Sequence, residues 1–108
     1  MDEAEFKARK LLGIDCVRLC QRLPKDVVSA SLVNQLVRSS TSVGSNYRAS
    51  CRARSMNAIL AKLSIVEEGA DKTAYGLEVL AESQIATRCS VEPLHREANE
   101  IVAMIVAS

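Results

Sequence analysis

The sequence predicts an all-α protein, a single domain over residues 1–108 folded as an antiparallel up-down-up-down bundle of four helices. Apolar residues recur at helical spacing along most of the chain. Only two prolines and four glycines interrupt the 108 residues, whereas an all-β domain needs turn residues about every 8–12 positions. The absence of Trp indicates an aliphatic core, and the length suits one core rather than two.

The first and last helices are bounded by simple signals. The first is predicted from about residue 3 to Arg22, because Pro24 forces the residue before it out of the α conformation. The last is predicted over about residues 91–106, with Ser90 as its N-cap and Pro93 in its first turn. Their apolar faces consist of Ala8, Leu12, Cys16, Leu19 and Leu23, and of Val91, Leu94, Ala98, Ile101, Val102 and Ile105.

The second helix, over about residues 30–52, is the ambiguous one. Leu32, Val33, Leu36 and Val37 have helical spacing, but the segment SSTSVGS at 39–45 has the composition of a loop. Small residues also allow two helices to approach closely, and packing can override weak propensity. We therefore predict a continuous helix through this segment.

The third helix, over residues 55–84, has the strongest periodicity. Ser55 is its predicted N-cap, since a serine hydroxyl can accept a hydrogen bond from a first-turn amide. The apolar positions step by three and four residues through nearly four heptads, which is typical of a helix with one buried face. They are Met56, Ile59, Leu63, Val66, Ala70, Thr73, Leu77 and Leu80.

Three blocks of sequence point to a known family. They are LPKD at 23–26, QLVRSSTSVGSNYRASCRARS at 35–55 and KLSIVEEGADKTAYGLEVL at 62–80. Together they resemble the bacterial four-helix-bundle family first noticed as reading frames within intervening sequences of large-subunit ribosomal RNA genes. The resemblance implies a protomer that assembles into a homopentameric ring, with no enzymatic activity and a suspected role on nucleic acid, like the related accessory protein of diversity-generating retroelements.

The sequence departs from the family pattern at three positions. The resemblance implies an acidic residue after the N-Y-R motif, and an acid and a Trp in the third helix, where this chain has Ala49, Gly69 and Gly76. These differences weaken any expectation of a shared carboxylate role. A glycine in place of a tryptophan is expected to leave a gap that a neighbour must fill.

Charge is segregated along the chain although the net charge is only +1. Residues 27–66 contain no acid and five bases, for a charge of +5, while residues 67–108 carry eight acids against three bases, for −5. The five bases are the predicted nucleic-acid-binding residues: Arg38, Arg48, Arg52, Arg54 and Lys62. Because Arg48 and Arg52 are four residues apart, they share a helix face at the corner between helices two and three, and guanidinium groups suit phosphate oxygens.

The same pattern has a second interpretation. An acid-free segment and an acidic half can also pair with each other within the bundle or between subunits, which would make the protein a protein–protein interaction module whose arginines serve assembly. The neutral-to-slightly-basic pI of 7.7 and the lack of aromatics beyond Tyr47 near the cluster argue against a base-stacking surface for single strands. Both interpretations stay open at the level of sequence.

An oligomer interface is predicted on the third helix. Ile65, Tyr75 and Val79 lie off the heptad face, and apolar residues at helical spacing on the outside of a bundle indicate a partner surface. They could instead widen the core-facing stripe. The resemblance to a ring-forming family favours the interface, so the expected partners are the chain itself, RNA or DNA, or another protein.

No catalytic, metal or cofactor site is predicted. His95 is the single histidine, no nucleophile motif accompanies it, and Cys16, Cys20, Cys51 and Cys89 contain no C-x-x-C pair. The acids Glu67, Glu68, Asp71, Glu78 and Glu82 are expected on a solvated helix face because paired Glu-x-x-His motifs are missing. The charged segment MDEAEFKARK is unlike a secretory signal, and the longest apolar run is too short for a bilayer, so a cytoplasmic protein with reduced thiols is expected.

Overall fold

The structure is a computed structural model that describes residues 3–107, and four helices make up nearly all of this region. The helices are α1 (Glu3–Gln21), α2 (Val27–Arg52), α3 (Met56–Glu82) and α4 (Arg88–Ala107). The neighbouring helices are α1 and α2, α2 and α3, α3 and α4, and α4 and α1, whereas the backbones of the diagonal pairs stay more than 8 Å apart at every described Cα. This neighbour order, with short connections, gives an elongated up-down-up-down bundle of 44 × 22 × 20 Å.

Helix α2 runs straight through the serine-rich segment, so the prediction of a continuous helix is confirmed. The hydroxyl groups donate to carbonyl groups one turn earlier, as from Thr41 to Val37 O at 2.7 Å and from Ser42 to Ser39 O at 2.7 Å. The predicted start at residue 30 was late. Asp26 caps the helix by accepting a 2.9 Å hydrogen bond from the Ser29 amide, a strong N-cap that the apolar periodicity does not reveal.

Helix α3 confirms the predicted N-cap, because Ser55 Oγ accepts a 3.1 Å hydrogen bond from the Ala58 amide. Five positions of the heptad face, from Val66 to Leu80, are buried in the core. The first position is not, since Met56 is 67% exposed. The bundle therefore closes around the middle of α3 and opens towards the corner between α2 and α3.

Helix α4 begins three residues earlier than predicted, and Ser90 does not cap it. Thr87 takes that role: its Oγ1 accepts a 3.2 Å hydrogen bond from the Ser90 amide. Ser90 instead lies inside the first turn, and its hydroxyl donates to Thr87 O at 2.9 Å. Pro93 consequently lies within the helix, beyond the first turn. Threonine and serine are both good caps, so local sequence did not distinguish them.

Two glycine contacts determine how closely the helices pack. A Cβ on Gly44 would lie 3.2 Å from the Lys10 Cα, so α1 and α2 pack almost backbone to backbone there. A Cβ on Gly69 would lie 2.7 Å from Ser42 Oγ and 3.3 Å from Ser39 O, so α3 is equally close to α2. These contacts explain why a chain without Trp can form a dense core from small and aliphatic side chains.

Candidate nucleic-acid interface

The corner between α2 and α3 gathers four of the five predicted basic residues. Arg48 and Arg52, on the last turns of α2, face Lys62 on α3 across a shallow groove that also includes Ala49. Arg54 lies in the connection that follows α2. The three arginines are exposed and Lys62 is half-buried. We refer to Arg48, Arg52, Arg54 and Lys62 as the cationic corner.

The charges of the cationic corner are not paired with acids among residues 3–106. The ion pairs among residues 3–106 join Lys7 to Glu3, Lys72 to Glu68, His95 to Glu78 and Arg96 to Glu92. No residue of the cationic corner takes part in any of them. Intramolecular pairing, one form of the second interpretation of the charge pattern, is thus not seen in the described part of the chain.

Ala49 lies in the middle of this corner. The resemblance implied an acid at this position, and a carboxylate there would project into the groove shared by Arg48, Arg52 and Lys62. With alanine, the groove contains no acidic side chain among the residues that line it. The departure from the family pattern therefore makes this corner more positive.

Arg38 lies apart from the cationic corner. It is ten residues before Arg48 on α2, about 15 Å along the helix, and lines a separate groove between α2 and α3. The same groove contains the three predicted interface residues, Ile65, Tyr75 and Val79. Sequence spacing grouped Arg38 with the other bases because they share an acid-free segment, but the length of the helix separates them.

The groove between α2 and α3 is where the expected gap occurs. Gly69 and Gly76 form part of its wall, and the cavity measures about 580 Å³. A Cβ on Gly76 would meet only Leu36 Cδ1, at 3.5 Å, so a side chain would fit there. The expectation that a neighbouring side chain fills the gap was wrong: the space is left as an open groove with exposed Tyr75 at its edge.

Sequence reasoning missed basic residues contributed by α1. Lys10 and Arg18 line a groove between α1 and α2 whose far wall includes Arg48. No acidic residue lines this groove. The signal was present, because Lys10, Ile14 and Arg18 recur every fourth residue, but the contact with Arg48 depends on how α1 packs against α2.

One end of the bundle contains a buried polar group that sequence reasoning did not predict. The Tyr47 hydroxyl donates a 2.7 Å hydrogen bond to Glu5 Oε2, and the buried Arg9 guanidinium lies 4.8 Å from the Tyr47 ring centroid. Burial, and then the hydrogen bond to Glu5, raise the pKa of Tyr47 to about 12. This arrangement ties α1 to α2 beside the cationic corner, with Cys51 in the same cleft.

The remaining reactive side chains are dispersed. Cys16 and Cys20 are buried in the core, while Cys51 and Cys89 are exposed, and all four are free thiols. Burial raises the pKa of Cys16 to about 12 and also raises that of Cys20. Among the residues that the structure describes, no group of three or more His, Cys, Asp or Glu side chains is placed to hold a metal ion.

His95 has a partner that its sequence neighbours did not suggest. Its Nε2 atom lies 2.8 Å from Glu78 Oε2 on α3, and Asn99 approaches the ring from the next turn of α4. This contact joins α3 to α4 on the acidic side of the bundle. No helix of the described residues has the length and apolarity that crossing a bilayer requires.

The fold and this surface define a small helical-bundle protein with a cationic corner and open grooves on its flanks. The chain belongs to the 23S rRNA-intervening sequence protein family, whose family model matches residues 6–107. A crystal structure from Bacteroides thetaiotaomicron, of a protein with unknown function from the S23 ribosomal protein family, is similar, with a TM-score of 0.87 and 26% identity over 94% of each chain. No curated protein matches the chain significantly. The family predicted from the three sequence blocks is confirmed.

Proposed function

We propose that the protein is a non-enzymatic, self-associating helical-bundle scaffold that binds the backbone of RNA or DNA through the cationic corner. The observation that carries the proposal is that Arg48, Arg52 and Arg54 are exposed and have no ion-pair partner among residues 3–106. Exposed, unpaired guanidinium groups bind phosphate oxygens in bidentate geometry. Contacts of this kind position a protein on nucleic acid without reading its sequence.

Self-association, the other part of the proposal, would strengthen binding of nucleic acid at the cationic corner. One corner offers three or four phosphate contacts, which is a weak and salt-sensitive site on its own. A homopentamer, as the family resemblance implies, would repeat the corner five times and turn weak contacts into a multivalent one. The proposed ligand is therefore an extended backbone long enough to reach several corners.

The test is charge reversal at the corner. The variant Arg48→Glu/Arg52→Glu/Arg54→Glu should keep its helical circular dichroism and its mass in light scattering, but lose retention of RNA and DNA. The slope of log K against log salt should fall by about 2–3, since each lost phosphate contact removes just under one unit. Retention with an unchanged salt slope would reject nucleic-acid binding at this corner.

A matched control separates the corner from overall charge. The variant Lys25→Glu/Arg88→Glu/Arg96→Glu changes the net charge equally at exposed positions outside the corner, and it should retain most nucleic-acid binding. If the corner variant instead falls apart into protomers, the arginines serve assembly and the protein is a protein–protein interaction module.

The absorbance spectrum offers a first check. With no Trp and two Tyr, the protein absorbs weakly at 280 nm, so co-purifying nucleic acid dominates the ultraviolet spectrum. We expect a nucleic-acid spectrum from protein purified at low salt and its loss after a high-salt wash.

A further inference from the structure

The groove between α1 and α2 combines an apolar lining with a floor of backbone. Its apolar side chains, all from α1, are Phe6, Ile14 and Val17. The floor is bare at Gly13, because a Cβ there would lie only 3.2 Å from Ser40 O on α2. The cavity measures about 450 Å³, and we refer to it as the α1–α2 groove.

Three cations surround the apolar lining of this groove. Lys10 and Arg18 belong to α1 and Arg48 to α2, and all three are exposed. None of them forms an ion pair among residues 3–106, and no acidic residue lines the groove. The complement of such a surface is an apolar surface flanked by negative charge.

The cations are spread along the groove and over both of its walls. The lining on α1 extends over residues 6–21, about 22 Å or roughly four helical turns. A Cβ on Gly44 would lie 3.2 Å from Lys10 Cα, so Arg48, one turn further along the antiparallel α2, lies towards the N-terminal end of α1. Arg18 lies about 12 Å from Lys10 in the opposite direction along α1. Positive charge is therefore available at both ends of the groove.

This distribution of charge selects among anionic ligands. A fatty acid has one carboxylate, so it would pair with the cations at one end and leave the others unpaired. A nucleic-acid backbone carries many charges, but it would have to desolvate phosphate groups against an apolar lining, which is unfavourable. An amphipathic helix with acidic residues on both sides of an apolar stripe uses the lining and the cations together, and amphipathic helices bind apolar grooves in this manner.

We infer that the α1–α2 groove binds an acidic amphipathic helix of another protein. The apolar stripe of that helix covers the apolar lining, and acidic residues on its two edges pair with Lys10 and Arg18 on one wall and with Arg48 on the other. The bare backbone at Gly13 allows the bound helix to lie deep in the groove. The inference goes beyond the proposed function and does not depend on it, although Arg48 also belongs to the cationic corner.

Model peptides test the chemistry of the occupant. A labelled helical peptide of about 18 residues, with leucines along one face and glutamates on both edges of that face, should bind the wild-type protein in fluorescence anisotropy. A peptide of the same composition with its leucines distributed around the helix should bind at least about tenfold more weakly, because it buries less apolar surface. No binding of the striped peptide, or equal affinity for the two peptides, contradicts the inference.

Charge reversal locates the peptide on the protein. Lys10→Glu/Arg18→Glu should weaken binding of the striped peptide by at least about tenfold, because two attractions become repulsions. Lys25→Glu/Arg88→Glu changes the net charge equally at exposed positions outside the groove and should keep the wild-type affinity. Equal losses in the two variants would rule out the groove. Lys10→Gln/Arg18→Gln should also weaken binding, and it replaces the reversal if circular dichroism shows that the reversed protein is unfolded.

Two apolar positions on α1 provide a test that does not change the charge. Ile14 is 38% exposed and lines the groove, whereas Leu11 is 45% exposed and does not line it. Ile14→Ser should weaken binding of the striped peptide by about five- to tenfold, since it removes apolar surface from the contact. Leu11→Ser should leave the affinity unchanged. The inference fails if the two substitutions have the same effect on the affinity.

Other occupants of the groove give different results. If Lys10→Glu/Arg18→Glu loses RNA retention but still binds the striped peptide, the groove binds nucleic acid and the inference is wrong. It is also wrong if the wild type does not bind the peptide and this variant falls in light-scattering mass, because a second copy then covers the groove.

The proposed function can fail separately from this inference. Arg52 and Arg54 do not line the α1–α2 groove, so Arg52→Glu/Arg54→Glu should remove most nucleic-acid retention and leave binding of the striped peptide intact. Retention of RNA and DNA that survives this variant contradicts the cationic corner alone. Loss of peptide binding in this variant contradicts the assignment of the peptide to the groove.

Discussion

A side chain at Gly69 would collide with Ser42, because a Cβ there would lie 2.7 Å from the Ser42 hydroxyl oxygen. That hydroxyl donates a 2.7 Å hydrogen bond to Ser39 O within α2, so moving it has a cost. The residue pair sets the distance between α2 and α3 at the wall of their groove. It also explains how a glycine persists in the middle of a long helix, where it costs about 1 kcal/mol relative to alanine.

The two glycines of α3 provide a matched stability test. Gly76→Ala should raise the free energy of unfolding by about 0.5–1 kcal/mol, because its Cβ meets only Leu36 Cδ1 at an ordinary 3.5 Å. Gly69→Ala forces Ser42 to move and should be less stable than Gly76→Ala by about 1–2 kcal/mol. Urea denaturation monitored by circular dichroism gives both values.

A double-mutant cycle identifies the cause. If the contact with Ser42 is responsible, Ser42→Ala should reduce the penalty of Gly69→Ala. Additive effects of the two substitutions would show that the crowding comes from the backbone of Ser39 and from Val43 instead.

Ala49 provides a test of the cationic corner that adds a charge. Ala49→Glu would place a carboxylate in the groove with Arg48, Arg52 and Lys62, so nucleic-acid affinity should fall and the salt slope should drop by about 1. Ala49→Gln has nearly the same shape without the charge and serves as the control. Equal affinity for the two variants, measured by fluorescence anisotropy with labelled RNA, would contradict a phosphate site at this corner.

Thiol reactivity should divide the cysteines into two classes. Cys51 and Cys89 are exposed, while Cys16 and Cys20 are buried with raised thiol pKa values. Because the thiolate is the reactive form, a colorimetric disulfide reagent at pH 8 should modify two thiols rapidly and the other two only at the rate of unfolding. Four rapid thiols would indicate that the α1 face of the core opens readily.

Tyr47 should make stability fall at high pH. Its pKa of about 12 in the folded protein exceeds the ordinary value of about 10, so folding favours the neutral phenol. The stabilisation is complete below pH 10 and is lost as the pH rises from 10 to 12, with a size on the order of 2 kcal/mol. Denaturation curves between pH 9 and 11.5 should decline less steeply for Tyr47→Phe than for the wild type.

The phenol absorbance reports the same group directly. In Tyr75→Phe, Tyr47 is the remaining tyrosine, and its ionisation at 295 nm should have a midpoint well above 10. Glu5→Gln should lower this midpoint, because the Glu5 carboxylate that accepts the hydrogen bond disfavours the phenolate. A midpoint near 10 in the folded Tyr75→Phe protein would contradict the buried position of Tyr47.

Helix boundaries were predictable where one local signal dominated. Pro24 ended α1, and the hydroxyl of Ser55 began α3, each through contacts within a few residues. Boundaries were misplaced where two residues offered the same chemistry, as Thr87 and Ser90 do at α4, because the choice depends on how α4 joins the core. The serine-rich segment of α2 needed tertiary contacts for its explanation, since Gly69 requires small residues opposite it.

The candidate site was also predictable from the sequence only in part. Arg48 and Arg52 were predictable neighbours because four residues make one turn of helix. The approach of Lys62 to them, the separation of Arg38, and the exposed groove beside Gly76 depend on how α2 and α3 reverse and pack.

The sequence alone determined the helical class, the number of helices, the family and the segregation of charge, because spacing and composition act through residues close in the chain. The tertiary structure decided which charges meet and which form no ion pair among residues 3–106, and it placed Arg38 in a different groove from Arg48 and Arg52. Those properties depend on contacts between helices distant in sequence, where a single missing Cβ determines how close two backbones can come.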